Sequence, residues 1–421
     1  MQRWIMAVPT PIPHTFLFAL TDGGGTVPPE LGVARRLVER GHHVCVLAEA
    51  SMQEQVQATG AVFVAWTESW GQFQDWNLRT PVSLLRGMVD SMLVGPASGQ
   101  VQDTTTAIDH VGPDLVVASF PSIGAMVAAE SHGVAFDVMI PNVYALPAKG
   151  MPPFGAGLRP AHGPLGRLRD RVARRLSTAM FDRFALQRIT ALRAQHGLAA
   201  TEHAWDQLHH AQRELVLTSA AFDFPATLPR NVRYVGPILD DPTWASSDDW
   251  SAPPGDGPLV LVALSSTFQN QRESIQRIVD AIRSLPVRAV VTTGPAIRPE
   301  TIRAAPNVAV VASAPHGEVL KRCSVVVTHG GHGTVLKALA AGVPLVLLPH
   351  GRDQADNAVR VTTRGAGITL PRRAAPRRIA AAVTEVLTVP AYRDAATQLG
   401  TQIARDAQNT TAVAELELQL S

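Results

Sequence analysis

The sequence predicts an α/β protein of two doubly wound parallel sheets, and three observations carry that reading. Short apolar runs rich in Val, Ile and Leu alternate with helical patterns, as in successive βαβ units. Two glycine-rich turns each follow such a run and precede a helix: Thr21-Asp22-Gly23-Gly24-Gly25-Thr26 and His329-Gly330-Gly331-His332-Gly333-Thr334. The rhythm then occurs twice, on either side of a stretch dominated by prolines, glycines and acids.

The most informative unit runs from Cys323 to Asn357. Val325 to Thr328 reads as a buried strand, Val335 to Ala341 as a helix closed by Gly342 and Pro344, and Val343 to Leu348 as the next strand. Glycines let backbone N–H groups approach an anion, and the helix N-terminus behind them carries partial positive charge. A phosphate site is the first reading and an unoccupied βα turn the plain one. The spacing is neither G-x-G-x-x-G nor G-x-x-x-x-G-K-[ST]. Asp353, Gln354 and Asn357 follow the next strand, at the carboxyl edge where ligands of parallel sheets sit. A carboxylate, amides and a phosphate turn on one edge suit a nucleotide sugar.

These residues, HGGHGT…AAGVPLVLLPHGRDQADNA, resemble the donor-binding signature of the family 1 nucleotide-sugar-dependent glycosyltransferases. The likeness is strongest to their actinobacterial natural-product branch and extends over most of the chain. The resemblance implies a GT-B fold, with two Rossmann-like domains facing across a cleft. It places the nucleotide sugar on the C-terminal domain and the acceptor on the N-terminal one. The expected domains are 1–223 and 259–421 with a linker at 224–258, and the last helix, within 400–421, packs back on the first domain.

The resemblance assigns the diphosphate to His329, Gly331, Gly333 and Thr334, with Ser266 and Thr267 as a second contact. Ser266 reads equally well as a helix cap. The base falls to Ala314, His316 and Val319, in the segment after Ser313, where related enzymes often have an aromatic ring. Both TDP- and UDP-sugars therefore stay open as co-substrate. Asp353 and Gln354 match the pair that holds sugar hydroxyls. No D-x-D triplet occurs, so no metal is expected, and His329 and His332 lack a third ligand nearby.

The chain departs from the family at its general base. The usual His before the V-x-P of the first turn is Thr26, and the Asp that orients it is Ser119. Threonine is no base near neutral pH. Asp22, in the same loop, is the replacement of choice; its plain reading is a turn-forming Asp. Glu30 on the first helix is a lesser candidate. Trp66, Trp70, Trp76, Met88 and Met92 form an apolar cluster, either core packing or the lining of an acceptor pocket.

The expected function is inverting transfer of a sugar to a small apolar natural-product aglycone. Two rivals remain: a non-catalytic GT-B auxiliary protein partnering another glycosyltransferase, supported by the missing dyad, and a nucleotide-sugar epimerase.

Bulk properties narrow the field. The chain has 421 residues, 46% hydrophobic and 17% charged, with a net charge of +2. Its pI near 8.7 comes from arginine, since Lys149, Lys321 and Lys337 are the only lysines. That balance makes no case for nucleic acid or an acidic membrane. The arginine-rich helical stretch from Arg167 to Gln195 reads as a solvated face. Two cysteines make no disulfide framework. Met1 to Leu20 is apolar but broken by Pro9, Pro11 and Pro13, so it reads as no signal peptide. No run reaches transmembrane length. A cytoplasmic protein without stable membrane insertion is expected, and a homodimer is left open.

Overall fold

The computed structural model describes residues 12–68, 73–78, 80–245, 250–264, 269–418 and 420. Thirteen strands form two sheets among them. The first comprises β1 (Thr15–Ala19), β2 (His43–Ala48), β3 (Val62–Ala65), β4 (Leu115–Ser119), β5 (Phe136–Ile140), β6 (Glu214–Val216) and β7 (Val232–Tyr234). Their spatial order is β3-β2-β1-β4-β5-β6-β7, and every pairing is parallel. The second sheet comprises β8 (Leu259–Ala263), β9 (Arg288–Thr292), β10 (Val308–Val311), β11 (Cys323–Thr328), β12 (Leu345–Leu347) and β13 (Gly367–Thr369). Its order is β10-β9-β8-β11-β12-β13, again all parallel.

Both sheets reverse direction of winding beside their first strand, between β1 and β4 and between β8 and β11. Loops diverge at such a switch point and leave a crevice at the carboxyl ends of the strands. Thr21 to Thr26 and Ser119 lie at the first crevice. His329 to Thr334 lie at the second. The strands are apolar on both faces because helices cover both: Phe16 and Phe18 point into one core layer, Leu17 and Ala19 into another.

Helix boundaries follow local chemistry. The helix Val27–Glu39 starts with two prolines in its first turn, where the missing N–H costs nothing, and Gly41 takes a left-handed φ of 91° just past its end. The helix His332–Ala340 is likewise followed by Gly342 at φ 68°. Pro376 to Leu418 resolves into three helices, Pro376–Thr388, Pro390–Gln408 and Ala412–Leu418. Gly400 lets the second approach the backbone of Leu339 so closely that a Cβ would collide with its carbonyl oxygen. That contact seats the helix whose N-terminus forms the phosphate turn. Val413 and Leu416 of the last helix are buried among Phe16, Phe18 and Leu31 of the first sheet.

One sequence expectation needs correction. Leu215 to Thr218 was expected as the last strand of the first half, but β6 is followed by β7, which lies inside the expected linker 224–258. Three residues with Val232 buried and Arg233 exposed carry too little pattern to stand out among prolines. Their strand identity comes from the parallel pairing of Glu214 to Val216 with Val232 to Tyr234.

Candidate active site

The phosphate turn is built from the end of β11. Gly331 caps the helix His332–Ala340 with extended backbone (φ −60°, ψ 138°), and no side chain caps it. Val335 N donates to Gly331 O at 3.0 Å. The amides of His332, Gly333 and Thr334 precede that bond and find no partner among the described residues. A Cβ built on Gly333 meets nothing within 4 Å, so that glycine faces open space. A Cβ on Gly331 would lie 2.7 Å from His329 Nε2. His329 is buried at the end of β11, and burial first, then the charge of His350, push its imidazole down to about 3. It is neutral at physiological pH, and only its one N–H could donate to an anion.

A hydrogen-bonded chain sets the carboxylate beside this turn. Asn357 Nδ2 donates to Gly330 O at 2.9 Å and to Asp353 Oδ2 at 2.7 Å, both pure acceptors. Its Oδ1 therefore faces His332 Nδ1, 3.2 Å away, which must carry the proton. Asp353, half-buried, is held in place with Oδ1 left over. Gln354, expected on sugar hydroxyls, is fully engaged locally at its carbonyl: Oε1 accepts from the N–H groups of His350 (2.7 Å) and Gly351 (3.2 Å). Its Nε2 donates to Gln269 Oε1 at 3.1 Å, so Gln354 shapes the loop that carries Asp353.

At the expected base subsite, His316 Nε2 lies 3.1 Å from Thr292 Oγ1, and burial followed by Lys337 pushes it down to about 4. Ala314 and Val319 are corrected to core residues. Both are buried with Leu336 and Leu339, so their side chains present no surface to a ligand. Ser266, Thr267 and Trp70 lie outside the described residues.

On the facing sheet, Asp22 is exposed and bound into its own turn. Its Oδ1 accepts from Gly24 N (3.1 Å), its Oδ2 from Ser51 Oγ (2.8 Å), and its N–H donates to Glu49 Oε2 (2.9 Å). Thr26 is half-buried just ahead of the first helix. One turn further on, Glu30 is completely buried and accepts from Ser119 Oγ at 2.5 Å. Burial, reinforced by Glu49, raises its carboxyl to about 8 against the lowering effect of Ser119. Glu49 itself is raised to about 7, chiefly by burial. The pairing of Glu30 with Ser119 was not legible in the sequence, because 89 residues separate them.

The apolar candidates scatter. Trp66 is corrected to the core: it is buried with Leu17, Leu47 and Met126, and its indole N–H donates to Leu20 O at 2.9 Å. Met88 and Met92 pack half-buried against Phe181 and Ile189. Trp76 is half-buried in a short turn whose Asp75 meets Arg352 at 3.1 Å, which sets that turn against the donor loop.

Two further contacts tie the donor helix Gln354–Thr363 to segments of the first half. Asp356 accepts from the N–H groups of Gly155 (2.6 Å) and Gly157 (3.3 Å). Arg360 pairs with Asp223 at 2.7 Å, with 3% and 1% of the two side chains exposed. No group of three His, Cys, Asp or Glu able to hold a metal occurs among the described residues. No helix among them is long and apolar enough to cross a membrane.

Two doubly wound parallel sheets, the second with a glycine turn and an uncapped helix at its carboxyl edge, point to the GT-B class of sugar transferases, and comparison with known proteins agrees. Residues 276–418 match the C-terminal domain described as erythromycin biosynthesis protein CIII-like. The chain is 29% identical over 407 residues to 4'-demethylrebeccamycin synthase of Lentzea aerocolonigenes, covering 93% of this chain and 96% of that protein. It is 30% identical over 319 residues to a PGL/p-HBAD biosynthesis rhamnosyltransferase of Mycobacterium bovis, covering 73% and 67%. Among solved structures, the glycotransferase of kitacinnamycin superposes with a TM-score of 0.78 at 24% identity, over 98% of this chain and 100% of that one. Spinosyn rhamnosyltransferase SpnG complexed with thymidine diphosphate does so with a TM-score of 0.69 at 17% identity, over 97% and 100%. The chain belongs to the glycosyltransferases and has their GT-B fold.

Proposed function

We propose that this enzyme transfers a sugar, with inversion and without metal, from a TDP- or UDP-sugar to a small apolar aglycone. The observation that carries the donor half is the uncapped N-terminus of His332–Ala340, where three amides and the bare face of Gly333 adjoin Asp353. Fixed amide dipoles stabilise the charge that develops on a departing diphosphate, as a metal does in other transferases. Neutral His329 completes the turn without placing a second positive charge there. Asp353, oriented by Asn357, is suited to sugar hydroxyls. Thymidine diphosphate bound to SpnG supports a nucleoside diphosphate donor, and the likeness to 4'-demethylrebeccamycin synthase and a PGL/p-HBAD biosynthesis rhamnosyltransferase supports a small-molecule acceptor. Inversion follows from attack on the anomeric carbon opposite the diphosphate, by an acceptor held on the first sheet.

The same evidence weighs against an auxiliary protein, which has no use for an open phosphate turn. Calorimetry with thymidine and uridine diphosphates tests the donor half: binding that survives excess EDTA supports it, and no binding of either overturns it. Product analysis of the anomeric configuration tests inversion. A place in the cytoplasm suits a nucleotide-sugar enzyme.

A further inference from the structure

The position that holds the family's imidazole is Thr26, and Ser119 stands where its aspartate is expected. The structure fills this gap from elsewhere. Glu30 follows Thr26 by one helical turn, which puts their side chains on the same face with Cβ atoms roughly 5–6 Å apart. Ser119 Oγ donates to its Oε1 at 2.5 Å. Its Oε2 is buried and has no hydrogen-bond partner among the described residues. A buried carboxyl with an idle oxygen is costly unless it gains a donor or stays protonated. Thr21 Oγ1, at the end of β1, is a second buried polar atom without a partner at the same crevice.

We infer that Glu30, oriented by Ser119, is the group that accepts the acceptor's proton, in place of the absent histidine and in preference to Asp22. This rests on the transferase reading above. Glu30 Oε2 is closed off in the unliganded chain; the acceptor hydroxyl displaces the packing over it on the side of Thr26, which is smaller than the family's histidine, and donates to that oxygen. As its proton passes to Oε2, its oxygen forms the new bond to the anomeric carbon. The bond from that carbon to the diphosphate breaks, and its electron pair leaves with the nucleoside diphosphate. Asp22 is placed for a different task, since one carboxylate oxygen accepts from Gly24 N in its own turn and the other from Ser51 Oγ on the segment after β2. Ser119 is a positioning residue.

The charged groups around Glu30 set its titration. Glu49, after β2, raises it, and Asp22 lies beyond Glu49. The last helix also packs on the first, but its Glu415 and Glu417 are paired with Arg213 and with Arg40 and His42. With the carboxyl at about 8, roughly one molecule in ten is ionised at pH 7. Turnover therefore rises with pH and levels off above about 8.

The test uses the full chain with UDP-glucose and TDP-glucose as donors and 4-methylumbelliferone as acceptor. Glu30→Gln should lower kcat by about 10²–10⁴ and abolish the rise toward pH 8, with thymidine diphosphate affinity unchanged. Ser119→Ala removes a hydrogen bond that favours the carboxylate, so the rise should move to higher pH, a shift that a purely structural serine would not produce. The unfolding temperature of Glu30→Gln should fall less than that of wild type between pH 5 and pH 8, which reports its burial independently of activity. A Glu30→Gln enzyme with wild-type rate and pH profile overturns the assignment, and loss of turnover in Asp22→Asn alone returns the role to Asp22. A wild type that binds thymidine diphosphate but transfers nothing overturns the transferase reading instead.

Discussion

Asn357 Nδ2 donates to Asp353 Oδ2 at 2.7 Å, one helical turn apart on the helix that begins beside the phosphate turn. Because the same amide group also donates to Gly330 O, it cannot rotate without breaking two bonds. Asn357 thus fixes both the turn and the carboxylate. Asn357→Asp would set two carboxylates against each other. Hydrogen bonds to charged groups contribute about 1.5–3 kcal/mol, so KM for the nucleotide sugar should rise roughly tenfold to a hundredfold. The dissociation constant of thymidine diphosphate alone, measured by calorimetry, should rise as well, because the bond that holds Gly330 is lost with the amide.

The two glycines of the turn should respond differently. Gly333 faces open space within a helix, where alanine is favoured by about 0.5–1 kcal/mol. Gly333→Ala should therefore raise or preserve the melting temperature while weakening diphosphate binding. Gly331→Val pushes against His329 Nε2 and should cost both stability and binding. Unchanged affinity in a folded Gly333→Ala would remove the turn from the donor site.

Turnover should be indifferent to chelation. The positive potential at the diphosphate comes from amide dipoles of the helix His332–Ala340, and these do not wash out with EDTA. Rates in excess EDTA and in added magnesium should coincide.

The Arg360–Asp223 pair should matter for stability more than for chemistry. Asp223 also accepts from Tyr234 Oη at 2.8 Å and Tyr144 N at 2.9 Å, so the carboxylate is anchored whether or not the arginine is present. Removing one partner of a buried pair costs about 3–5 kcal/mol. Arg360→Met should lower the denaturation midpoint accordingly, with little change in the dissociation constant of thymidine diphosphate.

Acid should weaken the donor domain through its histidines. His350 Nδ1 donates to Leu348 O and its Nε2 accepts from Ser274 Oγ, an arrangement that requires the neutral ring. Burial first, then Arg372 and Arg277, push it down to about 4. The unfolded chain takes up this proton near 6.5 and the folded one only near 4, so stability from this group is lost as pH falls through that window. His350→Gln should show a shallower fall in melting temperature between pH 6.5 and 4 than the wild type.

The amino-acid sequence by itself determined the two-sheet architecture and the glycine-rich turn ahead of the helix His332–Ala340. Both are written in local patterns: β-branched runs of strand length, glycines where backbone must approach an anion, and a helix directly behind them. It also marked Thr26 and Ser119 as the place where the base is missing. Tertiary structure decided the rest, because the deciding contacts are long-range. β7 exists only through its pairing with β6, Trp66 is a core residue because β1 ends above it, and Gln354 is occupied by a loop that folds back on it. Glu30 stood out in the sequence only as a lesser candidate on the first helix. Only the fold sets it against Ser119 with one oxygen unpartnered among the described residues, and burial, which no sequence window displays, raises its carboxyl to about 8.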